Sequence, residues 1–448
     1  ILMKKLGEPV IATSGNLSEE PVCIDNTDAL NRLKQLADFF LVHDRPVVRQ
    51  VDDSIVQVIG EDVSIIRRSR GYAPLPVDIG LDTNKIIAVG AHLKNAFAIG
   101  LEDGVVVSQH IGDLDNEISR KVFEREIASL ESIYDSPKKQ IICDKHPDYA
   151  SSQYAHTRNM EVLEVQHHHA HIASCMAEHH ITDDVLGVCF DGTGFGDDGT
   201  IWGGEFLKIK EGQYTRFAHL RTFALAGGEI AIKEPRRAAL GVLYELGQGQ
   251  WAGFSDLPCI KEFSVSELAV LKKMIEQKIN TPLTSSMGRF FDAVSSIIGL
   301  CHQNSFEGQA AMCLEFEARP YLDLPPYCYR IVSEQEGLVI DWLPMLEGII
   351  KDFRDPQTLS TVSTRFHRTL VEIIVEVARL SSQSKIVFSG GCFQNKFLIE
   401  RAIERLGQEG FCPYWHKQVA TNDGGIALGQ ISIAARRMKN VSCDSRQN

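Results

Sequence analysis

A pattern of short apolar strands joined by glycine-containing turns occurs twice in the sequence, about 100 residues apart. Helical periodicity in EISRKVFEREIASLESIY (117–134) makes strands alternate with helices, which favours an α/β domain with a largely buried sheet. A duplicated α/β unit predicts two lobes with a cleft between them, where ligands commonly bind. The two copies comprise IIAVG (86–90), NAFAIGL (95–101) and VVVSQH (105–110), then VLGVCFDGTGFG (185–196), IWGGEFLKIK (201–210) and YTRFAHL (214–220).

Two other segments depart from this pattern. The first runs to about residue 80 and ends at YAPLPVDIG, where Pro74 and Pro76 disfavour helix and indicate a linker. The second, about 231–330, contains helical patterns such as PRRAALGVLYEL and few strand signals, so we interpret it as a helical insertion. The α/β pattern returns at IVFSGG (386–391).

The composition narrows the function classes. Apolar residues make up 44% of the 448 residues, with no apolar run of the roughly 18 residues that a membrane helix needs. A net charge of −13 disfavours nucleic acid as the main partner. The eleven cysteines include no C-x-x-C pair, which suits a reducing cytoplasm. The opening ILMKKLGEPV is typical of the middle of a domain, so we expect a fragment of a longer protein.

Four histidines lie within five positions in VQHHHAH. On a helix, His167 and His171 share one face and would clamp a divalent metal, with His168 and His171 as the alternative pair. A solvated polar helix start explains the same spacing. Asp191 and Asp423 are the candidate oxygen ligands, with a turn residue or a helix cap as the alternative for each. For Asp423 in isolation, the local sequence favours that alternative. Imidazole and carboxylate together suit Zn²⁺, Fe²⁺ or Mn²⁺.

Three glycine-rich segments are typical of phosphate cradles. They are DGTGFG (191–196), SGGCFQN (389–395) and NDGG (422–425), and the last two stand at predicted helix starts. Together they indicate a nucleotide site, although hairpins use glycine as well. Lys94, at a turn between two strands, would approach a phosphate or else be a surface lysine. No G-x-S-x-G elbow is present, and no cysteine has an adjacent base, so a transferred group would be attacked by a partner's nucleophile.

Nine motifs from about residue 84 onward are shared with one known family. They are VGAHLKN (89–95), HIGDLDN (110–116), CDKHPDY (143–149), VQHHHAH (165–171), FDGTGFGDDGTIWGGEF (190–206), MGRFFDAV (287–294), EGQAAM (307–312), FSGGCFQN (388–395) and NDGGIALGQ (422–430). In these motifs the chain resembles the HypF carbamoyltransferases, which act in nickel–iron hydrogenase maturation. It is also similar to TsaD, which modifies tRNA, and to the O-carbamoyltransferase TobZ.

The resemblance implies an α/β fold of two parts. Residues 84–448 would form a TsaD-like, two-lobed actin/Hsp70-like (ASKHA) domain, with lobe I over about 84–183 and lobe II over about 184–448, including the helical insertion. Residues 1–80 resemble the C-terminal part of a YrdC-like domain through ATSGNLSEEP, HDRPVVRQVDDS and SIIRRSRGYAP. In that part, the residues expected to help hold ATP are Ser14, Asn16, Arg67 and Arg70.

The resemblance further implies a carbamoyltransferase of hydrogenase maturation. Such an enzyme uses carbamoyl phosphate and ATP to form carbamoyl-adenylate. It then passes the carbamoyl group to the C-terminal cysteine of HypE, towards the cyanide ligands of the active-site iron. A cytoplasmic protein is expected, with neither nucleic acid nor membrane as a partner. The alternatives are a TsaD-like tRNA threonylcarbamoyltransferase, a TobZ-like small-molecule O-carbamoyltransferase and a non-catalytic ATP-dependent scaffold.

Site residues in the second part follow from the same resemblance. Zn or Fe would be held by His167, His171, Asp423 and Asp191, and Mg²⁺ would accompany ATP. Lys94 and Asp191 would be catalytic, with Lys94 assisting at the phosphates. The residues expected to line the nucleotide are Gly192, Gly194, Gly390, Gly391 and Asn395, with Gly288 and Asp292 reaching its ribose.

Overall fold

Two mixed β-sheets, one in each lobe, form the framework of the chain in a computed structural model. The structure describes residues 1–17, 20–134, 138–335, 337–355 and 357–444. A separate two-stranded sheet belongs to the segment before the first lobe. Helices cover the two large sheets, so the prediction of an α/β fold is confirmed.

The first segment is attached to the rest of the chain through its hairpin. Its elements are helices α1 (Leu2–Leu6) and α2 (Asn26–Leu33) and strands β1 (Ile55–Ile59) and β2 (Asp62–Arg67). The buried Arg68 guanidinium, directly after β2, donates to the carbonyl oxygens of Val107 at 3.0 Å and Gln418 at 3.2 Å. One arginine therefore joins this segment to two distant parts of the chain.

The first lobe is a six-stranded sheet covered on both faces. Its elements are β3 (Pro76–Val77), β4 (Ile86–Ala88), β5 (Ala98–Leu101), β6 (Gly104–Val107), α3 (Glu117–Tyr134), β7 (Gln140–Asp144), α4 (Ala150–Thr157), β8 (Glu161–Val165) and α5 (His167–Glu178). The strand order is β3-β6-β5-β4-β7-β8. Ile87 packs on the side of Phe123 from α3, whereas Ile86 and Ala88 pack on the opposite side. Because both faces are covered, the strands are continuous apolar runs.

The second lobe holds the larger sheet and the helical insertion. Its elements are β9 (Val185–Phe195), β10 (Ile201–Lys210), β11 (Gln213–Leu220), β12 (Phe223–Ala224), α6 (Ile230–Lys233), α7 (Pro235–Leu246), α8 (Pro258–Lys261), α9 (Val265–Glu276), β13 (Leu283–Thr284), α10 (Met287–Ile297), α11 (Gln309–Glu317), β14 (Arg330–Glu334), β15 (Gly337–Asp341), α12 (Leu343–Arg354), α13 (Leu359–Ser381), β16 (Lys385–Ser389), α14 (Lys396–Gln408), β17 (Cys412–Tyr414) and α15 (Ile426–Asp444). The strand order is β14-β15-β11-β10-β9-β16-β17, with β13 joined to β10 and β12.

Helix α5 lies between the two sheets and is buried over its whole length. Ala170 and Ala173 face the first-lobe core together with α15, whereas Ile172 and Met176 face strands of the second lobe. A Cβ on Gly429 of α15 would lie 1.8 Å from the Ala170 carbonyl oxygen, so the two helices touch through their backbones. Helix α15 thus completes the first lobe, although it follows the second lobe in the sequence.

The interpretation of DGTGFG as a turn is wrong. Residues 191–195 continue strand β9, which pairs antiparallel with β10 and places Gly194 opposite Trp202. The chain reverses only afterwards, where Gly196 and Thr200 are joined by a backbone hydrogen bond of 3.0 Å. The predicted helix at 117–134 is found with the same bounds. No helix in the described part of the chain is long and apolar enough to cross a membrane.

Candidate metal and nucleotide site

Helix α5 begins at His167 and turns two imidazoles to the same side. The Gln166 side chain caps the helix by accepting a hydrogen bond of 2.9 Å from the His169 backbone N–H. The His167 and His171 ring centroids are 4.9 Å apart, as the i, i+4 spacing requires. Both residues are at most 1% exposed because α5 is enclosed between the sheets. The alternative of a solvated helix start is therefore wrong.

Two aspartates from distant segments lie against these histidines. Asp191 belongs to β9, and Asp423 to the 3₁₀ turn that precedes α15. The His167 Nε2 atom is 3.5 Å from Asp191 Oδ2 and 3.7 Å from Asp423 Oδ1. The His171 Nε2 atom is 3.8 Å and 3.5 Å from the same two oxygens. The four ligand atoms lie within 4.8 Å of one another, and we call these four buried residues the His–Asp cluster.

The His–Asp cluster fits a divalent metal. The Nε2 atoms of His167 and His171 are buried and have no hydrogen-bond partner among the described residues, which is costly unless a ligand uses them. The Asp144 carboxylate lies 2.7 Å from His167 Nδ1. It holds the proton on Nδ1 and leaves the Nε2 lone pair for a metal, as carboxylates commonly do behind metal-binding histidines. Two imidazoles and two carboxylates suit Zn²⁺, Fe²⁺ or Mn²⁺.

Charges in the His–Asp cluster shift one another's pKa values. Burial lowers the pKa of His167, but the carboxylates of Asp144 and Asp423 outweigh burial and raise this pKa well above its usual value. Burial raises the pKa of Asp423, yet the neighbouring His167 and His171 lower it to about 2. Protons on the histidines therefore neutralise the aspartates, and metal binding would release them.

Gly194 lets strand β9 approach the histidines closely. A Cβ at this position would lie 2.4 Å from His168 Cε1 and 2.8 Å from His167 Cδ2. Gly391 acts on the same site differently, because its backbone N–H donates to Asp191 Oδ1 at 2.9 Å. Two of the glycines predicted to cradle a nucleotide thus pack or orient members of the His–Asp cluster.

The other predicted glycines differ in the space beside them. Gly390 has a φ of 103°, and a Cβ there would lie 2.3 Å from the Phe190 carbonyl oxygen. A Cβ on Gly288, at the start of α10, would lie 2.8 Å from Gly192 Cα. A Cβ on Gly192 itself would come no closer than 3.8 Å to Arg289 Nη2. A methyl group at Gly192 would therefore be in ordinary van der Waals contact with Arg289.

Asp292 lies one turn after Arg289 on α10. Its carboxylate is 2.8 Å from the Arg289 guanidinium, and the residue is 1% exposed. Burial raises the pKa of Asp292 to about 6, although Arg289 acts in the opposite direction. This carboxyl group therefore titrates far above a surface aspartate.

We expect Asp292 to make stability depend on pH. A carboxyl group whose pKa is higher in the folded than in the unfolded state stabilises the fold below the unfolded value. That stability is lost as the pH rises through the folded value. For a pKa that rises from 3.8 to about 6, the loss is on the order of 3 kcal/mol. Urea unfolding at about pH 4 and about pH 7 would measure it. The free-energy difference between the wild type and Asp292→Asn should change accordingly, and a constant difference would contradict the expectation.

A cavity of about 430 Å³ lies between the first segment and the two lobes. Asn422 and Gly424 flank Asp423 in sequence and line this cavity, so it runs beside the His–Asp cluster. Arg70 is not among the lining residues, because its side chain is 68% exposed and lies 3.4 Å from Asp53. The predicted site residues that do line the cavity are Ser14, Asn16, Arg67 and Lys94.

Lys94 is held at this cavity by an ion pair with Glu307. Burial lowers the pKa of Lys94, but Glu307 and Asp423 together raise it above its usual value. Its ammonium group therefore stays charged at neutral pH, close to both the cavity and the His–Asp cluster.

Asn395 uses both ends of its side-chain amide within the protein. Its Oδ1 accepts a hydrogen bond of 2.9 Å from the Leu398 backbone N–H and so caps α14. Its Nδ2 lies 2.8 Å from His367 Nε2. Contact with a nucleotide would have to replace one of these interactions.

Two residues at the site were not predicted from the sequence. Asp144 ends the predicted strand IICD, and a polar residue at the end of a buried strand is a signal that would have found it. Glu307 lies in the EGQAAM motif, but nothing in the sequence pairs it with Lys94, which is 213 positions away.

Family models match nearly all of the chain. Residues 187–430 match the model described as "Carbamoyltransferase, Kae1-like Domain, second subdomain", and residues 81–178 match "HypF Kae1-like domain". Residues 1–69 match the Sua5/YciO/YrdC model, described as "Telomere recombination". These matches define a YrdC-like segment followed by a Kae1-like domain, as the sequence predicted.

Curated relatives and solved structures agree with these matches. The carbamoyltransferase HypF of Synechocystis sp. is 43% identical over 98% of this chain and 59% of its own length. A HypF homolog of Cupriavidus necator is 33% identical over 80% of this chain and 93% of its own length. The crystal structure of a full-length HypF in its phosphate- and nucleotide-bound form is 41% identical, with a TM-score of 0.90 over 95% of this chain and 56% of that one.

The chain belongs to the HypF carbamoyltransferase family. The HypF of T. kodakarensis has the same fold, with 28% identity and a TM-score of 0.84 over 96% of this chain and 58% of that one. This chain thus spans less than two thirds of the length of the full-length relatives.

Proposed function

We propose that this chain carries the carbamoyl-transfer site of a hydrogenase maturation enzyme. The substrate would be carbamoyl-adenylate, made from carbamoyl phosphate and ATP, and the acceptor would be the C-terminal cysteine of HypE. The observation that carries the proposal is the His–Asp cluster, placed beside a cavity that the first segment shares with both lobes. The eleven cysteines fit a cytoplasmic reaction, where thiols stay reduced.

Some residues of the site would bind the substrate, and others would stabilise the negative charge of its phosphate. His167, His171, Asp191 and Asp423 would hold Zn or Fe, which supplies positive charge for the phosphate and for the AMP that leaves. Lys94 would add its ammonium group at the phosphates. Gly192, Gly288 and Asp292 would border the nucleoside, with Gly194, Gly390, Gly391 and Asn395 shaping the walls. Ser14, Asn16, Arg67 and Arg70 would contact ATP, bound with Mg²⁺, on the side of the first segment.

The nucleophile in this scheme comes from the acceptor. Cys392 is the cysteine of the SGGCFQN segment, but burial and the Asp191 carboxylate raise the pKa of its thiol well above its usual value. It is therefore no thiolate at neutral pH. In the transfer, the acceptor thiol would lose its proton to solvent and its sulfur would form a bond to the carbamoyl carbon. The bond from that carbon to the adenylate oxygen would break, and AMP would leave with the electron pair.

A transfer assay tests the proposal. The purified chain would be mixed with chemically generated carbamoyl-adenylate, HypE and a divalent metal, and HypE would be examined by intact mass. We expect one carbamoyl group on HypE and none on a HypE variant that lacks the C-terminal cysteine. If a full-length HypF modified HypE under the same conditions and this chain did not, the proposal would be wrong for this chain.

A further inference from the structure

A series of buried polar side chains connects His171 to Glu178. The His171 Nδ1 atom lies 3.2 Å from Ser389 Oγ, and this hydroxyl lies 2.9 Å from His416 Nε2. On the far side of the second imidazole, His416 Nδ1 lies 2.8 Å from Glu178 Oε1, a charge contact that lacks the alignment of a hydrogen bond. All four residues are at most 4% exposed, so water does not replace these contacts.

The Glu178 carboxylate, at the end of this series, is itself held in place by hydrogen bonds. Glu178 accepts hydrogen bonds from the backbone N–H groups of Lys417, at 3.2 Å, and Gln418, at 2.6 Å. These two donors orient the carboxylate so that its Oε1 lies beside His416 Nδ1. A carboxylate oxygen at this nitrogen favours the tautomer with the proton on Nδ1, so His416 Nε2 is left as an acceptor.

The proton position on His416 determines the donor and the acceptor in the two remaining contacts, Ser389 with His416 and His171 with Ser389. The Ser389 hydroxyl has two acceptors, His416 Nε2 at 2.9 Å and the Thr421 carbonyl oxygen at 3.4 Å, and it donates to the nearer one. The serine oxygen then accepts from the other side. The proton on His171 therefore sits on Nδ1 and is donated to Ser389, and the His171 Nε2 lone pair points into the His–Asp cluster. This is the tautomer that a metal ligand needs at Nε2.

We propose that Glu178, acting through His416 and Ser389, is the positioning carboxylate of His171. It would do at a distance what Asp144 does by direct contact for His167. The inference rests on the proposed metal role of the His–Asp cluster. Glu178 and His171 are both on α5, seven positions apart and so on one face of the helix, while Ser389 and His416 come from the second-lobe sheet and the segment after it. We call the series His171, Ser389, His416 and Glu178 the relay. Its contacts also hold α5 against the second lobe.

Metal titration of relay variants tests this proposal. Ser389→Ala removes the bridging hydroxyl, His416→Phe removes both ring nitrogens at similar size, and Glu178→Gln removes the charge alone. We expect each to weaken Co²⁺ binding about 10- to 100-fold, the usual cost of losing a group behind a metal ligand. We also expect a changed visible Co²⁺ spectrum, which a general loss of stability would not produce. His302→Phe is the matched control, because His302 Nδ1 lies 2.8 Å from the Ser296 hydroxyl inside the helical insertion. It should bind Co²⁺ as the wild type does.

The outcomes separate the relay from the metal site itself. Wild-type affinity and spectrum in the folded Glu178→Gln and Ser389→Ala variants would overturn the relay while leaving the metal site intact. Failure of the wild type to bind Co²⁺, or unchanged binding after His167→Ala with His171→Ala, would overturn both proposals. Circular dichroism identifies variants that do not fold, and Glu178→Gln is the most conservative of the three.

Discussion

Replacing His167 and His171 together with alanine is expected to abolish metal binding and carbamoyl transfer. Both Nε2 atoms lie within 4 Å of the Asp191 and Asp423 carboxylates and lack other partners among the described residues. Their removal leaves two buried carboxylates without the nitrogen ligands of the cluster. Loss of a group behind a ligand costs about 10- to 100-fold in metal affinity, so loss of two ligands should exceed about 100-fold. Competition titration with Zn²⁺ and the transfer assay would measure the two effects.

His169→Gln is the matched control for this double variant. His169 belongs to the same run of histidines, but its ring packs against Tyr214, with centroids 4.8 Å apart. Metal affinity should therefore stay close to that of the wild type. Equal metal binding by the double variant and this control would remove the basis for the proposed metal site.

Gly429→Ala is expected to destabilise the protein strongly. The new Cβ would lie 1.8 Å from the Ala170 carbonyl oxygen and 2.7 Å from the Ala170 carbonyl carbon. Backbone atoms cannot rotate away, so α15 must move off α5. Overpacking of this kind costs about 3 kcal/mol or more, which urea unfolding would report as a lower free energy of unfolding. Because Asp423 lies in the 3₁₀ turn that leads into α15, metal affinity should fall as well.

Gly407→Ala is also a glycine-to-alanine change within a helix, but it is expected to stabilise the protein. Gly407 lies near the end of α14, is exposed, and has no atom within 4 Å of an added Cβ. The substitution should raise the free energy of unfolding by about 0.5 kcal/mol, because alanine loses less backbone entropy than glycine in a helix. Similar destabilisation by both substitutions would show that the α5–α15 contact is not the cause.

The pairing of His167 and His171 could be predicted because helical spacing is a local property. The i, i+4 separation of His167 and His171 places them on one face wherever the helix lies. Their burial could not be predicted in this way. It depends on α5 being enclosed between two sheets, and those sheets are built from strands that lie on both sides of α5 in the sequence.

The glycines of DGTGFG show where local signals fail. A strand followed by closely spaced glycines is typical of both a phosphate loop and a hairpin, and the sequence does not separate the two. Here β9 continues through Gly194 because β10 pairs with it and the histidine rings occupy the space where a side chain would lie. The groups behind His171 Nδ1 were equally hidden, since Ser389 lies 218 positions away from it. His416, which contacts Ser389, lies in an irregular segment later still.

The position of α15 has a consequence for synthesis on the ribosome. The strands of the first lobe emerge early, yet one face of their sheet, including Ile86 and Ala88, packs against the much later Ile426 and Ile431. Domains that emerge first generally fold first, but this lobe cannot bury that apolar face until α15 has been synthesised. Asp423 emerges just before α15, so the four residues of the His–Asp cluster can come together only late in synthesis. Metal loading would therefore follow translation, and the waiting lobe would be a natural client for chaperones.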